Sequence, residues 1–262
     1  MAQDTTVLQT VSRAVAVLRC FEGGAVDLSL AELAARMKLN KVTVLRLART
    51  LAKEGLLIHD SRTGLYRLSF GCIGLARKLL DRDGLFECAQ PFMEEARSRT
   101  RETVCLIVRE ELDRVTTHSL PSMQPVRFVL EVGDRRPVHL GAAGQCLLSA
   151  LPDDQLDVIL RRIDERPAAE RETAGGRTVS GAEVRERIDR VRRQGWAIGR
   201  QEWSSEAAGA AAPVVSPDGS VNGAISIVMP ISRATDAYME QCAAAAREAA
   251  EKTSAELRRQ HQ

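Results

Sequence analysis

The 262-residue chain has no uncharged run as long as the roughly 18 residues that a membrane-spanning helix needs; the strongest apolar candidate extends only from Gly219 to Ser232. An integral membrane protein built from helices is excluded. Closely spaced cysteines are also lacking. Cys20, Cys72, Cys88, Cys105, Cys146 and Cys242 stand far apart, and no two share the short spacing that a zinc site favours. Each reads as a buried, inert thiol that packs as a small hydrophobe. There is no Gly-rich phosphate loop ending in Gly-Lys, no GxGxxG, no GxSxG and no HExxH. The four histidines, His59, His118, His139 and His261, sit in unrelated contexts, and His118 and His139 read as structural. No catalytic residue, metal or cofactor is expected, and the chain is not read as an enzyme. Met1-Ala2-Gln3-Asp4 lacks the basic segment and apolar run of a secretory signal, so a cytoplasmic location with reduced thiols is expected. Hydrophobic residues at 44% and charged residues at 27% describe an ordinary globular protein, long enough for two domains.

Charge is unevenly placed. The whole chain carries a formal +2, but residues 1 to 80 carry a net +6 and the remainder a net −4. The amino-terminal part is thus suited to a polyanion, and the rest to another task. Val11, Ala14, Val15, Val17, Leu18 and Phe21 recur at helical spacing, and Gly23-Gly24 is a natural stop. Ser29-Leu30-Ala31-Glu32 reads as a capping box opening a second, short helix. Asn40 caps a third, from Lys41 to Lys53, with Val44, Leu47, Ala48 and Leu51 on one stripe and Gly55 at its end. Two helices joined by a short turn have the form of a helix-turn-helix.

With that stripe inward, Lys41, Thr43, Arg46, Arg49, Thr50 and Lys53 lie on the outer faces. Arginine can clasp a guanine edge with two bonds, whereas lysine mainly meets phosphate. Leu56-Leu57-Ile58 and Tyr66-Arg67-Leu68 flank the turn-rich Asp60-Ser61-Arg62-Thr63-Gly64 and predict a wing, with Arg62 and Arg67 near the DNA backbone or minor groove. A solvated face on an ordinary surface helix is the competing explanation; the capping box, short turn, basic hairpin and segregated charge together favour double-stranded DNA.

These residues resemble the IclR-type transcriptional regulators, through Ser12-Arg13-Ala14, Leu30-Ala31-Glu32-Leu33-Ala34 and Lys41-Val42-Thr43-Val44-Leu45-Arg46-Leu47. Val42 stands where the family usually has serine, and Asn40 where proline is frequent, so DNA sequence preference does not carry over. The second half shares Gly133-Asp134-Arg135-Arg136-Pro137, His139, Gly144-Gln145, Gly195-Trp196-Ala197, Glu202, Ala212-Pro213-Val214 and Pro230-Ile231-Ser232-Arg233.

Ile73, Leu75, Leu79 and Leu80 predict a linker helix. Helices are expected at 85–100, 143–150, 153–162, 181–194 and 234–258, and strands at 103–108, 114–119, 128–131, 209–215 and 221–228, the last two joined through Pro217-Asp218-Gly219. The expected fold is α+β: a winged helix-turn-helix at 1–70, a linker at 71–84, and an effector-binding and oligomerisation domain at 85–262 with a mixed or antiparallel sheet. The resemblance implies a GAF-like effector domain lined by Phe128, Ala142, Ala143, Gly199, Ala207, Gly209, Ile225 and Ser226.

Relatives often have cysteine where this chain has Gly209, glycine where it has Glu206, and aspartate near Gly199. The missing side chains are expected to widen the pocket, leaving Ser226, the Ala142-Ala143 amides and Glu206 or Arg127 to orient a ligand such as an aromatic acid. Alternatively, Gly199 and Gly209 mark close strand packing and Ser226 is a satisfied core hydroxyl. The reading is a regulator that binds a pseudo-palindromic operator as a homodimer, or as a dimer of dimers, under a small-molecule effector. A second reading has a DNA-binding protein whose other domain only oligomerises, constitutive or redox-responsive through Cys105 or Cys146. A third attaches the DNA-binding head to an enzyme.

Overall fold

The computed structural model describes residues 7–22, 24–80 and 84–260 and divides the chain into two compact units, 1–80 and 81–262. Gly23 of the first helix stop, residues 81–83 of the linker and His261 lie outside the described residues, as do the side chains of residues 78–80.

The first unit holds α1 (Gln9–Arg19), β1 (Leu28–Ser29), α2 (Leu30–Met37), α3 (Lys41–Lys53), β2 (Leu57–His59), β3 (Leu65–Leu68) and α4 (Gly71–Leu80). The Ser29 hydroxyl accepts the Glu32 amide at 3.2 Å while the Glu32 carboxylate accepts the Ser29 amide at 2.8 Å, so two orphan donors at the start of α2 are satisfied reciprocally. α2 ends on Lys38 in the left-handed region, and the Asn40 side chain accepts the Thr43 amide at 2.8 Å to open α3. Val17, Phe21, Leu33, Val44, Leu47, Leu51, Leu57 and Tyr66 form the core. The apolar positions of α1 split between two faces: Val17 is buried, whereas Val11 and Val15 are exposed. β1, only two residues long, pairs with β3 and was not expected, because two residues show no alternation to read.

The second unit is a six-stranded sheet, every pair antiparallel, in the order β6-β5-β4-β9-β8-β7. Its strands are β4 (Thr103–Glu110), β5 (Asp113–Leu120), β6 (Arg135–Pro137), β7 (Ala197–Arg200), β8 (Ala207–Val215) and β9 (Val221–Pro230). α5 (Leu85–Thr100) and α9 (Asp236–Gln260) pack on one face over Leu106, Ala208, Ala210, Ile225 and Ile227. Ala243, Ala246 and Ala250 let α9 lie close to the strands. α6 (Ala142–Leu148) packs on the other face over Cys105, Ile107, Ala211, Ala224 and Val228, and α7 (Asp153–Asp164) and α8 (Gly181–Gln194) build a further core cluster with Leu148.

One expected strand is absent. Residues 128–131 are irregular, and the sheet edge beyond β5 is taken by β6 instead. Phe128 gives its carbonyl to the Thr103 hydroxyl rather than to a ladder, and Leu130 is buried between exposed Val129 and Glu131. The apolar spacing that suggested a strand marks an irregular segment pinned by a single inward side chain.

Candidate nucleic-acid interface and ligand pocket

On α3 the inward residues are Val44, Leu47, Ala48 and Leu51. At about 100° per residue, Val42, Arg46, Arg49 and Lys53 then fall on one outer strip roughly 60° wide. Lys41, Arg46, Arg49 and Lys53 are exposed, and among the described residues none forms an ion pair. Thr43 and Thr50 flank the strip; Thr43 is half-buried with its amide held by Asn40, and the Thr50 hydroxyl donates back to the Arg46 carbonyl at 2.9 Å. In the β2–β3 hairpin the Asp60 carboxylate accepts the Arg62 amide at 2.8 Å and the Thr63 amide at 3.3 Å, and Gly64 closes the turn at φ +74°. Those backbone bonds, with a smaller contribution from the Arg67 charge, hold Asp60 below the usual carboxylate range. Arg62 and Arg67 project to solvent, Arg67 because its neighbour Tyr66 turns inward.

The pocket lies in the second unit, against the face of β8 and β9 that carries α6. Six of the expected residues meet there, Ala142, Ala143, Gly199, Ala207, Gly209 and Ser226, together with Arg114, Leu130, Gly141, Glu202, Trp203 and Val228. Two expected residues do not. Ile225 faces α5 and α9, because neighbours on a strand point to opposite faces and Ser226 takes the pocket side. Phe128 stands behind the wall, edge-on to Trp203 at 5.0 Å between ring centroids. Arg127 and Glu206 are exposed and absent from the lining.

The widening expected from the missing side chains is not found: the cavity measures about 10 Å³, room for about one water molecule. A methyl group on Gly199 would stand 3.1 Å from both the Ala142 nitrogen and a Glu202 oxygen, and one on Gly209 would stand 3.1 Å from the Ile227 carbonyl. These glycines permit close approach of backbone and Glu202, and Trp203 and Arg114 close the remaining space.

Sequence reasoning missed Arg114. It lies on β5 and is only 4% exposed; its Nε donates to the Leu140 carbonyl at 3.1 Å, and its Nη2 is buried without a partner. Burial, reinforced by the neighbouring Arg136 charge and opposed by Glu202, pulls its pKa down to about 10. The inward alternation of Arg114 and Thr116 was the available signal, but polar alternation on a strand ordinarily means a solvated face. Glu202 accepts the Gly141 amide at 2.8 Å and an Arg187 nitrogen at 2.9 Å, tying the start of α6 to α8.

Burial pushes the Cys105 thiol up to about 11 and the Cys146 thiol higher still. Such thiols are poor nucleophiles at neutral pH, which argues against them as redox sensors. His118 stacks on Phe86 with centroids 3.5 Å apart, and His139 is buried with its pKa drawn down to about 4 by burial and by Arg166, Arg171 and Arg187. Among the described residues no group of His, Cys, Asp and Glu could hold a metal ion, and no helix is long and apolar enough to cross a membrane.

Two family profiles match the chain: the IclR helix-turn-helix domain over residues 10–61 and the bacterial transcriptional regulator IclR C-terminal domain over residues 77–255. The chain is 29% identical to the glycerol operon regulatory protein of Streptomyces griseus, over 86% of each chain. It is 26% identical to the Pca regulon regulatory protein of Pseudomonas putida, over 91% of this chain and 80% of that one. Its fold matches the crystal structure of an IclR homolog from Microbacterium hydrocarbonoxydans complexed with 4-hydroxybenzoate, with a TM-score of 0.77, 26% identity and coverage of 95% of this chain and 99% of the other.

Proposed function

Because the chain belongs to the IclR family of bacterial transcriptional regulators, we propose that it binds a pseudo-palindromic operator as a homodimer, in the cytoplasm and without catalytic activity, with one α3 in each of two major grooves. The strip of exposed, unpaired cations on α3 carries this reading. Arg46 and Arg49 read base edges, Lys41 and Lys53 meet phosphates, Thr43 and Thr50 contact the groove wall, and Arg62 and Arg67 follow the backbone or minor groove. Exposed Leu8, Val11 and Val15 along α1, with Phe70, Ile73 and Leu75 at and within α4, supply apolar surface for pairing two chains. A dimer of dimers is compatible with that contact.

A small carboxylic acid, aromatic rather than two- or three-carbon, occupies the pocket of the second unit. The support is the buried cation among its apolar walls and the 4-hydroxybenzoate bound by the Microbacterium hydrocarbonoxydans homolog. The acid changes operator affinity to the extent that it binds one arrangement of the dimer better than another. Residues 71–84, the only covalent route between the regions, carry that bias.

The test is operator binding by fluorescence anisotropy across salt concentrations. Arg46→Ala is expected to lose about 1–3 kcal/mol and to relax sequence preference at one position of each half-site; unchanged binding removes Arg46 from the contacts.

A further inference from the structure

We propose that the Arg114 guanidinium anchors the carboxylate of a flat, aromatic monocarboxylic acid, and that the Trp203 indole is an internal plug which the ring of that ligand displaces. The proposal rests on the reading of this pocket as the effector site, and adds to it an anchor, a moving part and a charge requirement.

Arg114 is buried, charged and incompletely bonded. Its Nε donates to the Leu140 carbonyl, Nη2 has no hydrogen-bond partner, and the guanidinium lies 5.8 Å from the Trp203 ring centroid. A buried donor left without an acceptor is unfavourable, and more so when it carries charge. The nearby carboxylate, Glu202, acts on it through charge but makes no hydrogen bond to it; Glu202 Oε2 accepts from the Gly141 amide and Arg187. With its pKa at about 10 the guanidinium stays protonated at neutral pH, so the wall holds a positive charge awaiting an anion. A second carboxylate on the ligand would add to the negative charge of Glu202 in the same lining, which disfavours it.

Trp203 stands beside that charge. A methyl group on Gly141 would lie 3.3 Å from Arg114 Nη2 and 3.1 Å from Trp203 Cδ1, so guanidinium and indole edge flank the same point. The cavity left between them holds no more than a water, and a larger ligand must displace something. Strands and α6 are tied into hydrogen-bond ladders, whereas Trp203 lies on the irregular segment between β7 and β8. What holds the indole also suits an incoming ring: the edge of Phe128 at 5.0 Å, and the Arg136 guanidinium 4.5 Å over its face.

The chain has two tryptophans, so Trp196→Phe leaves Trp203 as the only indole reporter. In that background the full chain is titrated with benzoate, pyruvate and neutral benzamide, following indole emission and, in parallel, thermal unfolding. Benzoate is expected to raise the unfolding temperature and shift the emission, with pyruvate and benzamide at least tenfold weaker. Arg114→Met, which keeps the length of the side chain without its charge and whose folding the unfolding curve reads directly, is expected to weaken benzoate tenfold or more, with Arg114→Lys intermediate. Trp203→Ala removes the competitor and is expected to bind benzoate more tightly. If benzoate stabilises the protein but binds Arg114→Met equally well, or binds Trp203→Ala more weakly, the anchor or the plug is wrong and the pocket reading survives. If none of the acids stabilises the protein or shifts the emission, the pocket reading fails and this inference fails with it.

Discussion

Arg233 ends the Pro230-Ile231-Ser232-Arg233 landmark, and the structure gives it a measurable task. Its Nε and Nη2 each lie 2.7 Å from one oxygen of Glu102, which is fully buried, and its Nη1 donates to the Val126 carbonyl at 2.9 Å. This two-point pair, strengthened by the buried carboxylate, raises the Arg233 pKa. Arg233→Ala leaves Glu102 buried with only the Tyr238 hydroxyl 3.5 Å away, and that hydroxyl already donates to the Thr100 carbonyl at 2.6 Å. Breaking a buried pair from one side costs about 3–5 kcal/mol, which for a unit of this size lowers the melting temperature by roughly 10 °C. Both tryptophans lie in the second unit, so urea unfolding followed by their fluorescence reads this unit in the intact protein. Replacing both partners, Glu102→Leu with Arg233→Met, should recover most of the loss because no charge is left stranded. A loss below about 1 kcal/mol in Arg233→Ala, or no recovery in the double variant, would refute the claim that the stranded carboxylate is the cause.

Three further outcomes are expected. Gly144→Ala would improve helix propensity in α6, but the added methyl falls 1.8 Å from the Val138 carbonyl oxygen; thermal unfolding should show a loss of about 3 kcal/mol or more, and a neutral result would contradict the close approach. His139, drawn down to about 4, is held neutral by the fold. The stability this contributes is therefore complete above the unfolded value near 6.5 and is lost as pH falls toward 4, by up to about 3 kcal/mol; subtracting the urea stability curve of His139→Gln from that of the native chain should isolate the loss, and parallel curves would rule it out. Val42 is 69% exposed on the same strip as Arg46 and Arg49, and an apolar side chain there suits a thymine methyl. Selection of operator variants should show Val42→Ser losing about 1 kcal/mol of preference for thymine at one position per half-site, and an unchanged preference would place Val42 outside the groove.

The elements legible in the sequence were those whose local chemistry agrees with their tertiary surroundings. Ser29 with Glu32, and Asn40 before Lys41, marked the starts of α2 and α3 because a cap is a contact within four residues. The bounds expected for α5 and α8 agree with the structure, where Arg101 and Gly195 close these helices in the left-handed region. β7 was missed because Ala197-Ile198-Gly199-Arg200 has little strand propensity of its own and is held by pairing with β8. The segment 128–131 failed in the opposite sense: its composition suits a strand, but a hydroxyl from Thr103 takes the carbonyl that a ladder would need.

The two candidate sites differed in legibility for a physical reason that also distinguishes their cations. DNA recognition needs charge the fold leaves unneutralised on one face of one helix, and periodicity within thirteen residues displays it. In the second unit most arginine is bound into ion pairs, such as Arg185 with Asp153 and Asp157, or Arg135 with Glu110 and Asp113, and abundance there says nothing about ligands. The informative arginine is the one the fold buries without fully bonding, and that property belongs to three distant segments: Arg114 from β5, the Leu140 carbonyl before α6, and Glu202 turned away to Gly141 and Arg187. The glycines were ambiguous for the same reason. A missing side chain leaves space only if nothing else moves in, and at Gly199 the backbone of α6 and the Glu202 carboxylate both do.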